Sequence, residues 1–82
     1  MSESVTVAYR DHTREILYRP ELPLQHLAAD AARAFGLKFA ANSHLRLHNA
    51  DGKQLDHAAT AERARIKPGA QLTLKPPTIE EG

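Results

Sequence analysis

The order of apolar and polar residues predicts a β-hairpin at the start of the chain. Val5, Val7 and Tyr9 are separated by single polar or small residues, which is the period of a strand with one buried face. The same period resumes at Ile16 and Tyr18, after a polar stretch at residues 11–13 that is typical of a turn. Two antiparallel strands joined by a short turn satisfy this pattern.

The spacing of apolar residues changes after the hairpin to three and four, which is the period of a helix. We predict a helix from Pro23 to Phe35, with proline in its first turn and Gly36 in the left-handed position beyond its last turn. No Ser, Thr, Asp or Asn directly precedes Pro23, so a poor N-cap is expected. The apolar stripe consists of Leu24, Leu27, Ala31, Ala34 and Phe35.

Three shorter segments in the second half of the chain have the features of strands. Leu45–His48 is followed by strong turn residues at positions 49–52, and Lys53–Leu55 is expected to form a short fourth strand. Residues 58–65 are predicted to connect the strands with at most one helical turn. The last strand, Gln71–Leu74, follows a tight Pro-Gly turn.

The element order ββαβ(β)β predicts an α+β domain in which a mixed sheet of four to five strands packs on one helix. We place this domain at residues 1–75 and a flexible C-terminal tail at residues 76–82. The predicted core consists of Val5, Val7, Ile16, Tyr18, Leu24, Leu27, Phe35, Leu47, Leu55, Ile66, Leu72 and Leu74.

Length, charge and cysteine content exclude several classes of function. A chain of 82 residues forms one small domain that buries only about 60% of the surface of its unfolded chain, which leaves little room for an enclosed active site. A net charge of +1 argues against nucleic-acid and membrane binding, and the absence of cysteine excludes disulfides and thiolate chemistry. No apolar run is long enough to span a membrane, and the polar start is unlike a signal peptide. We expect a cytoplasmic monomer without a cofactor.

The residues that could carry catalysis or hold a metal are scattered. The five histidines lie in separate predicted elements, and His44 and His48 would be about 13 Å apart in a strand. Asp51 and Asp56 lie in polar turns, without an apolar pocket that would raise the pKa of either carboxyl. We therefore expect neither a metal site nor an enzyme.

Several segments of the chain match ubiquitin. Residues 18–37 align with it without a gap, through the predicted helix and its closing Gly36. The tetrapeptide Gly52-Lys53-Gln54-Leu55 is found in ubiquitin at the corresponding turn, and Ile66, Leu72 and Leu74 match the approach to its last strand and that strand itself. Over residues 5–75 the chain resembles ubiquitin and its β-grasp relatives.

The resemblance implies that the chain is a protein modifier. In such a modifier the carboxylate of Gly82 would be adenylated by an activating enzyme, passed on as a thioester and joined to a target by an isopeptide bond. A conjugating enzyme and a deconjugating peptidase would be further partners. The tail departs from ubiquitin, because it is acidic and ends in one glycine, and it looks closer to several bacterial ubiquitin-like modifiers. Recognition of the tail would depend on Pro77, Ile79, Glu80 and Glu81.

Two alternatives to the modifier remain open. The first is a β-grasp interaction domain that is not conjugated, and the second is a sulfur carrier, although sulfur carriers usually end in two glycines. The positions that align with ubiquitin's apolar patch are His48, Thr73 and Lys75, so ubiquitin's usual receptors are not expected to bind. Together with Arg46, these residues form a predicted polar docking surface. Lys53 aligns with a chain-forming lysine of ubiquitin and is a possible acceptor, although a simple turn lysine is the more economical interpretation.

Overall fold

The computed structural model describes residues 3–37 and 45–76, which contain four strands and one helix. The strand order is β2-β1-β4-β3, with β1 antiparallel to β2 and parallel to β4, and β3 antiparallel to β4. The predicted α+β architecture with a mixed sheet on one helix is confirmed. The elements are β1 (Ser4–Tyr9), β2 (His12–Leu17), α1 (Leu24–Ala34), β3 (Arg46–His48) and β4 (Gln71–Lys75).

The turn between β1 and β2 is tighter than the sequence predicts. His12 pairs with Tyr9, so only Arg10 and Asp11 lie between the strands, whereas the polar stretch at residues 11–13 predicted a later turn. The tight turn requires Arg10 to adopt a left-handed backbone conformation, with φ of +55°. Residue polarity does not reveal this geometry, because polar side chains are also tolerated on the exposed strand β2.

The helix is one residue shorter at each end than predicted, because Pro23 is its N-cap and Phe35 its C-cap. The N-cap has no side-chain hydrogen bond, as the sequence predicts. Backbone carbonyls from a distant segment replace it: Leu24 N–H donates to Ala59 O (2.8 Å), and Gln25 N–H donates to His57 O (3.1 Å).

The C-terminal end of the helix forms a Schellman motif. Gly36 has φ of +75°, Gly36 N–H donates to Arg33 O (3.0 Å), and Leu37 N–H donates to Ala32 O (2.8 Å). The predicted left-handed glycine is therefore confirmed.

The predicted fourth strand at Lys53–Leu55 is wrong in its extent. The segment makes a single bridge between Gln54 and His48, with two backbone hydrogen bonds: Leu55 N–H donates to Leu47 O, and Asn49 N–H donates to Lys53 O (2.9 Å each). The preceding loop limits the pairing, because Asn49 Oδ1 accepts hydrogen bonds from the backbone N–H groups of both Asp51 and Lys53 (2.9 Å each). This bonding curls residues 49–53 into a turn, and the pairing with β3 is limited to the isolated bridge at Gln54.

His57 joins this segment to the sheet through its side chain. Leu47 N–H donates to His57 Nε2 (3.0 Å), which fixes Nε2 as an acceptor and therefore the ring as neutral. The backbone carbonyl of the same residue accepts from Gln25, so His57 connects β3 with the start of the helix.

The core lies between the helix and one face of the sheet, and it confirms most of the prediction. Tyr18, Phe35 and Leu55 are partly buried and pack against the core, and Tyr18 donates its hydroxyl hydrogen to Ile66 O (2.7 Å). The other predicted core residues are buried: Val5, Val7, Ile16, Leu24, Leu27, Leu47, Ile66, Leu72 and Leu74. The buried apolar residues that the prediction omitted are Ala28, Ala31, Ala32, Leu45 and Ala61.

Leu27 provides the first test of this core. Its side chain is 8% exposed, and Leu27→Ala should lower the free energy of unfolding by about 2–5 kcal/mol, because it leaves a cavity beneath the helix. Exposed Gln25 on the same helix is the control, and Gln25→Ala should change the stability by less than about 0.5 kcal/mol. Urea denaturation measures both. Equal effects of the two substitutions would show that the helix presents a different face to the sheet.

The neutral ring of His57 should make the stability depend on pH. Burial lowers the pKa of His57 below its ordinary 6.5, and Arg46 and His48 lower it further, while Asp56 opposes them. The unfolded chain then binds more protons than the folded one, so stability is fully present above pH 6.5 and is lost as the pH falls from 6.5 towards the lower folded pKa.

Denaturation between about pH 7.5 and 5 should show this loss in the unaltered chain. His57→Gln keeps an acceptor oxygen near the position of Nε2 without a titrating group, so it should flatten the profile. Gln25→Ala, at an exposed position of the helix without a titrating group, should leave the slope unchanged. A His57→Gln profile as steep as that of the unaltered chain would contradict this role.

Candidate functional site

The helix covers one face of the sheet and leaves the other face open. Leu72 and Leu74 of β4 point to the core, so the alternate residues of the strand, Gln71, Thr73 and Lys75, point to the open face. The register extends this face across the neighbouring strands through the pairs Thr6–Gln71, Ala8–Thr73, His48–Thr73 and Arg46–Lys75.

Arg46 and Lys75 of the predicted docking surface are brought together at one end of this face. They are directly opposite each other in the β3–β4 register, on strands that neighbour at about 4.8 Å. Lys75 is exposed, whereas Arg46 is partly buried and donates from Nη1 to Leu45 O (3.2 Å). Thr73 lies next to them in the middle of the sheet and is partly exposed.

His48, the fourth predicted residue of the docking surface, is buried, and its assignment to an exposed surface is wrong. Its relative exposure is 0%, and its Nδ1 lies 3.0 Å from Arg46 O. The physical reason is the segment along the outer edge of β3, where Gln54 bridges to His48 and His57 accepts the hydrogen bond from Leu47. A residue on an edge strand becomes enclosed when another segment lies against that strand.

Lys53 lies in the exposed turn that Asn49 organises, and its backbone carbonyl accepts from Asn49 N–H (2.9 Å). Its exposure suits either interpretation, acceptor or turn lysine. The predicted role as an acceptor therefore stays a prediction.

Five predicted site residues lie outside the described residues: Pro77, Ile79, Glu80, Glu81 and Gly82. Their roles in recognition and conjugation stay predictions. So does the division into a domain at 1–75 and a tail at 76–82.

The structure contains a groove that the sequence did not predict. It lies between the tip of the β1–β2 hairpin and the end of β4, and its volume is about 500 Å³. The sequence indicates both sides of the groove, the hairpin turn at Arg10 and the strand end at Lys75. Only the parallel pairing of β1 with β4 brings them to the same end of the sheet. The residues that line the groove are Tyr9, Arg10, Leu45, Thr73, Leu74, Lys75 and Pro76.

The hairpin wall of this groove is built from stacked rings and cations. The ring centroids of Tyr9 and Phe35 are 5.5 Å apart, which ties the hairpin to the end of the helix. The guanidinium of Arg10 lies 5.4 Å from the centroid of Tyr9, and that of Arg14 lies 5.9 Å from the centroid of Phe35. Such contacts contribute about 0.5–1 kcal/mol at exposed sites, and they hold Arg10 against the groove.

Arg10 occupies its position at an energetic cost. A left-handed conformation is unfavourable for a non-glycine residue by about 1 kcal/mol, and glycine or asparagine would adopt it more readily. Arg65 has a similar left-handed conformation, with φ of +61°, away from the groove, so the position of Arg10 in the groove wall, rather than its strain, makes it a candidate binding residue.

Within residues 3–37 and 45–76, no group of three or more His, Asp or Glu side chains could hold a metal ion. In the same ranges, no helix is long and apolar enough to cross a membrane.

Comparison with known proteins identifies the fold. No family model matches the sequence, and no curated protein matches it either. Among solved structures, the N-terminal ubiquitin-like domain of the 4931431F19Rik protein is similar, with a TM-score of 0.75 and 12% identity over 99% of this chain and 80% of that one. A protein designed de novo on the basis of ubiquitin has a TM-score of 0.77 and 22% identity, over 99% of this chain and 95% of its own.

ATBAG1, solved in complex with HSP70, has a TM-score of 0.76 and 18% identity, over 94% of this chain and 41% of its own. At these identities the likeness establishes the fold alone. The chain has a ubiquitin-like β-grasp fold, with one helix packed on a mixed sheet of four strands within the described residues.

Proposed function

We propose that this domain binds other proteins through the open face of its sheet and has no catalytic role of its own. One observation carries the proposal: the face that the helix leaves uncovered presents Arg46 and Lys75 side by side on paired strands. Strands hold side chains more rigidly than loops do, so ordering this surface when a partner binds would cost little free energy.

The likeness to ATBAG1 gives support by analogy. That protein was solved in complex with HSP70, so a domain of this fold occurs in a protein that engages another protein. The analogy concerns the fold and does not name a partner for this chain.

The described polar groups favour binding over catalysis. Among the residues that the structure describes, every buried side-chain nitrogen and oxygen has a hydrogen-bond partner. His57, whose pKa is lowered, uses Nε2 to accept from a backbone N–H and thus has a structural task. A general base would need that nitrogen available to a substrate.

A second candidate function is protein modification, which the sequence of the tail favours. Residues 76–82 directly follow β4, and Gly82 has no Cβ to obstruct a narrow enzyme channel. In this proposal the Gly82 carboxylate is adenylated, transferred as a thioester and joined to a target amine, and the activating enzyme, conjugating enzyme and peptidase supply the catalysis. Under this proposal the chain would be closer in kind to several bacterial ubiquitin-like modifiers than to ubiquitin itself, because its tail is acidic and ends in one glycine. A sulfur carrier ranks third.

Photo-crosslinking tests the binding proposal. Gln71 lies exposed on the open face and Gln25 lies exposed on the helix, so each is replaced in turn by benzoylphenylalanine. Adducts from a lysate of the source organism should form at position 71 and not at position 25. They should weaken when Arg46→Glu and Lys75→Glu reverse the charge of the face. Equal adducts at both positions, or adducts indifferent to the charge reversal, would overturn the proposal.

An adenylation assay tests the modifier proposal. With the cognate activating enzyme and ATP, deletion of Gly82 should abolish adenylate formation and leave the melting temperature nearly unchanged, because the residue would contribute chemistry and not packing.

Charge reversal in the tail refines this assay. Glu80→Lys with Glu81→Lys should weaken adenylation, and more so at low salt, because exposed charges are screened over about 10 Å at 0.1 M. The control is Glu3→Lys with Glu15→Lys, two exposed acids of the described domain, which should have little effect. Unchanged activity without Gly82 would eliminate the modifier and leave the interaction domain.

A further inference from the structure

The groove beside the hairpin combines an apolar floor with cations at its rim. Leu45 and Leu74 are buried and form the floor, while the partly buried Tyr9 forms a wall beside the start of the tail at Pro76. Tyr9 is held by its contacts with Phe35 and Arg10, so this wall is already ordered. An apolar side chain that entered the groove would be removed from water. The protein would lose little conformational entropy on binding it, because the wall is already ordered.

Positive charge dominates the strands that form this end of the sheet. β1, β3 and β4 contain neither Asp nor Glu, and Asp11 and Glu15 belong to the hairpin without lining the groove. Arg10 and Lys75 line the groove itself, and Arg46 is directly opposite Lys75. Arg10 and Lys75 therefore place positive charge in the groove, which favours a bound anion.

We propose that the groove binds an extended segment of a partner protein that carries one apolar side chain between carboxylates. The inference rests on the proposed function and names the chemistry of the partner at that end of the sheet. The apolar side chain would contact Tyr9, Leu45 and Leu74, and the carboxylates would pair with Arg10 and Lys75.

Other occupants fit these observations less well. A nucleic acid would need more positive charge than this chain of net charge +1 provides at the groove. It would also need a ring on which a base could stack, and the ring of Tyr9 already packs against Phe35 and Arg10. A second copy joined through the same surface would bring the cationic ends together. The chain's own residues 79–81, Ile-Glu-Glu, also combine an apolar side chain with carboxylates. Variants of the two glutamates distinguish this occupant from a partner.

The probe is a fluorescein-labelled peptide with one leucine flanked on each side by three acidic residues, titrated into the full chain and followed by anisotropy. Replacing the leucine by serine should weaken binding roughly tenfold, because the apolar contact is lost. Replacing the acidic residues by their amides should weaken it at least as much, and added salt should weaken only the acidic peptide.

Matched arginine variants distinguish binding in the groove from nonspecific electrostatic attraction. Arg10→Asn removes a cation from the groove, and asparagine tolerates the left-handed backbone, so the melting temperature should hold or rise while affinity falls about fivefold. Arg65 is also exposed and left-handed, with φ of +61°, and does not line the groove. Arg65→Asn should therefore leave affinity nearly unchanged. Lys75→Gln in the groove and Lys67→Gln away from it form a second matched pair.

Any of the following outcomes would overturn the proposal. Equal losses from Arg10→Asn and Arg65→Asn would show nonspecific attraction, and competition by oligothymidylate as strong as that by the unlabelled acidic peptide would assign the groove to a polyanion. A several-fold gain in affinity with Glu80→Gln and Glu81→Gln would assign it to the chain's own tail. If peptide binding fails while the crosslinks at position 71 remain, only the partner chemistry is wrong. If the crosslinks also fail, the proposed function fails with it.

Discussion

The parallel pairing of β1 with β4 determines where the other elements lie. Thr6, Val7 and Ala8 pair with Gln71, Leu72 and Thr73, so the first and last strands form the centre of the sheet. β2 and β3 are then confined to the two edges, and the helix must cross the face that carries Val5, Val7, Leu72 and Leu74. The same pairing places the hairpin turn beside the end of β4 and so creates the groove.

The connection between β3 and β4 does more than join two strands. Ala59 and His57 supply the carbonyls that satisfy the first N–H groups of the helix, and the His57 ring accepts from β3. In the described residues of this connection, regular pairing is limited to isolated bridges, yet its polar groups hold the helix and the sheet edge together. An irregular segment here takes the place of both a side-chain cap and an additional strand.

Elements with a local pattern could be predicted from the sequence, and contacts between distant segments could not. The alternation at Val5 and Val7 and the stripe through Leu24 and Leu27 require no knowledge of partners, because each element must bury one face. Gly36 could also be placed, since the left-handed position after a helix favours glycine.

The burial of His48 could not be predicted, because it depends on residues outside its own strand. Its burial depends on Gln54 and His57, which follow a turn whose course Asn49 sets through its side chain. The groove was missed for a similar reason, because Tyr9 and Leu74 are distant in the sequence and become neighbours only through the strand pairing. The resemblance to ubiquitin predicted the fold but not the exposure of His48.

The central pairing also sets the order of events during synthesis. β1 and β2 can form a hairpin early, but the β4 side of β1 has no partner until residue 75 has left the ribosome. Throughout that interval the chain exposes an unpaired strand edge bearing Val5 and Val7, the kind of surface that recruits other strands or chaperones. A chain that stops before β4 therefore leaves this edge open permanently, and its expected fate is aggregation or proteolysis.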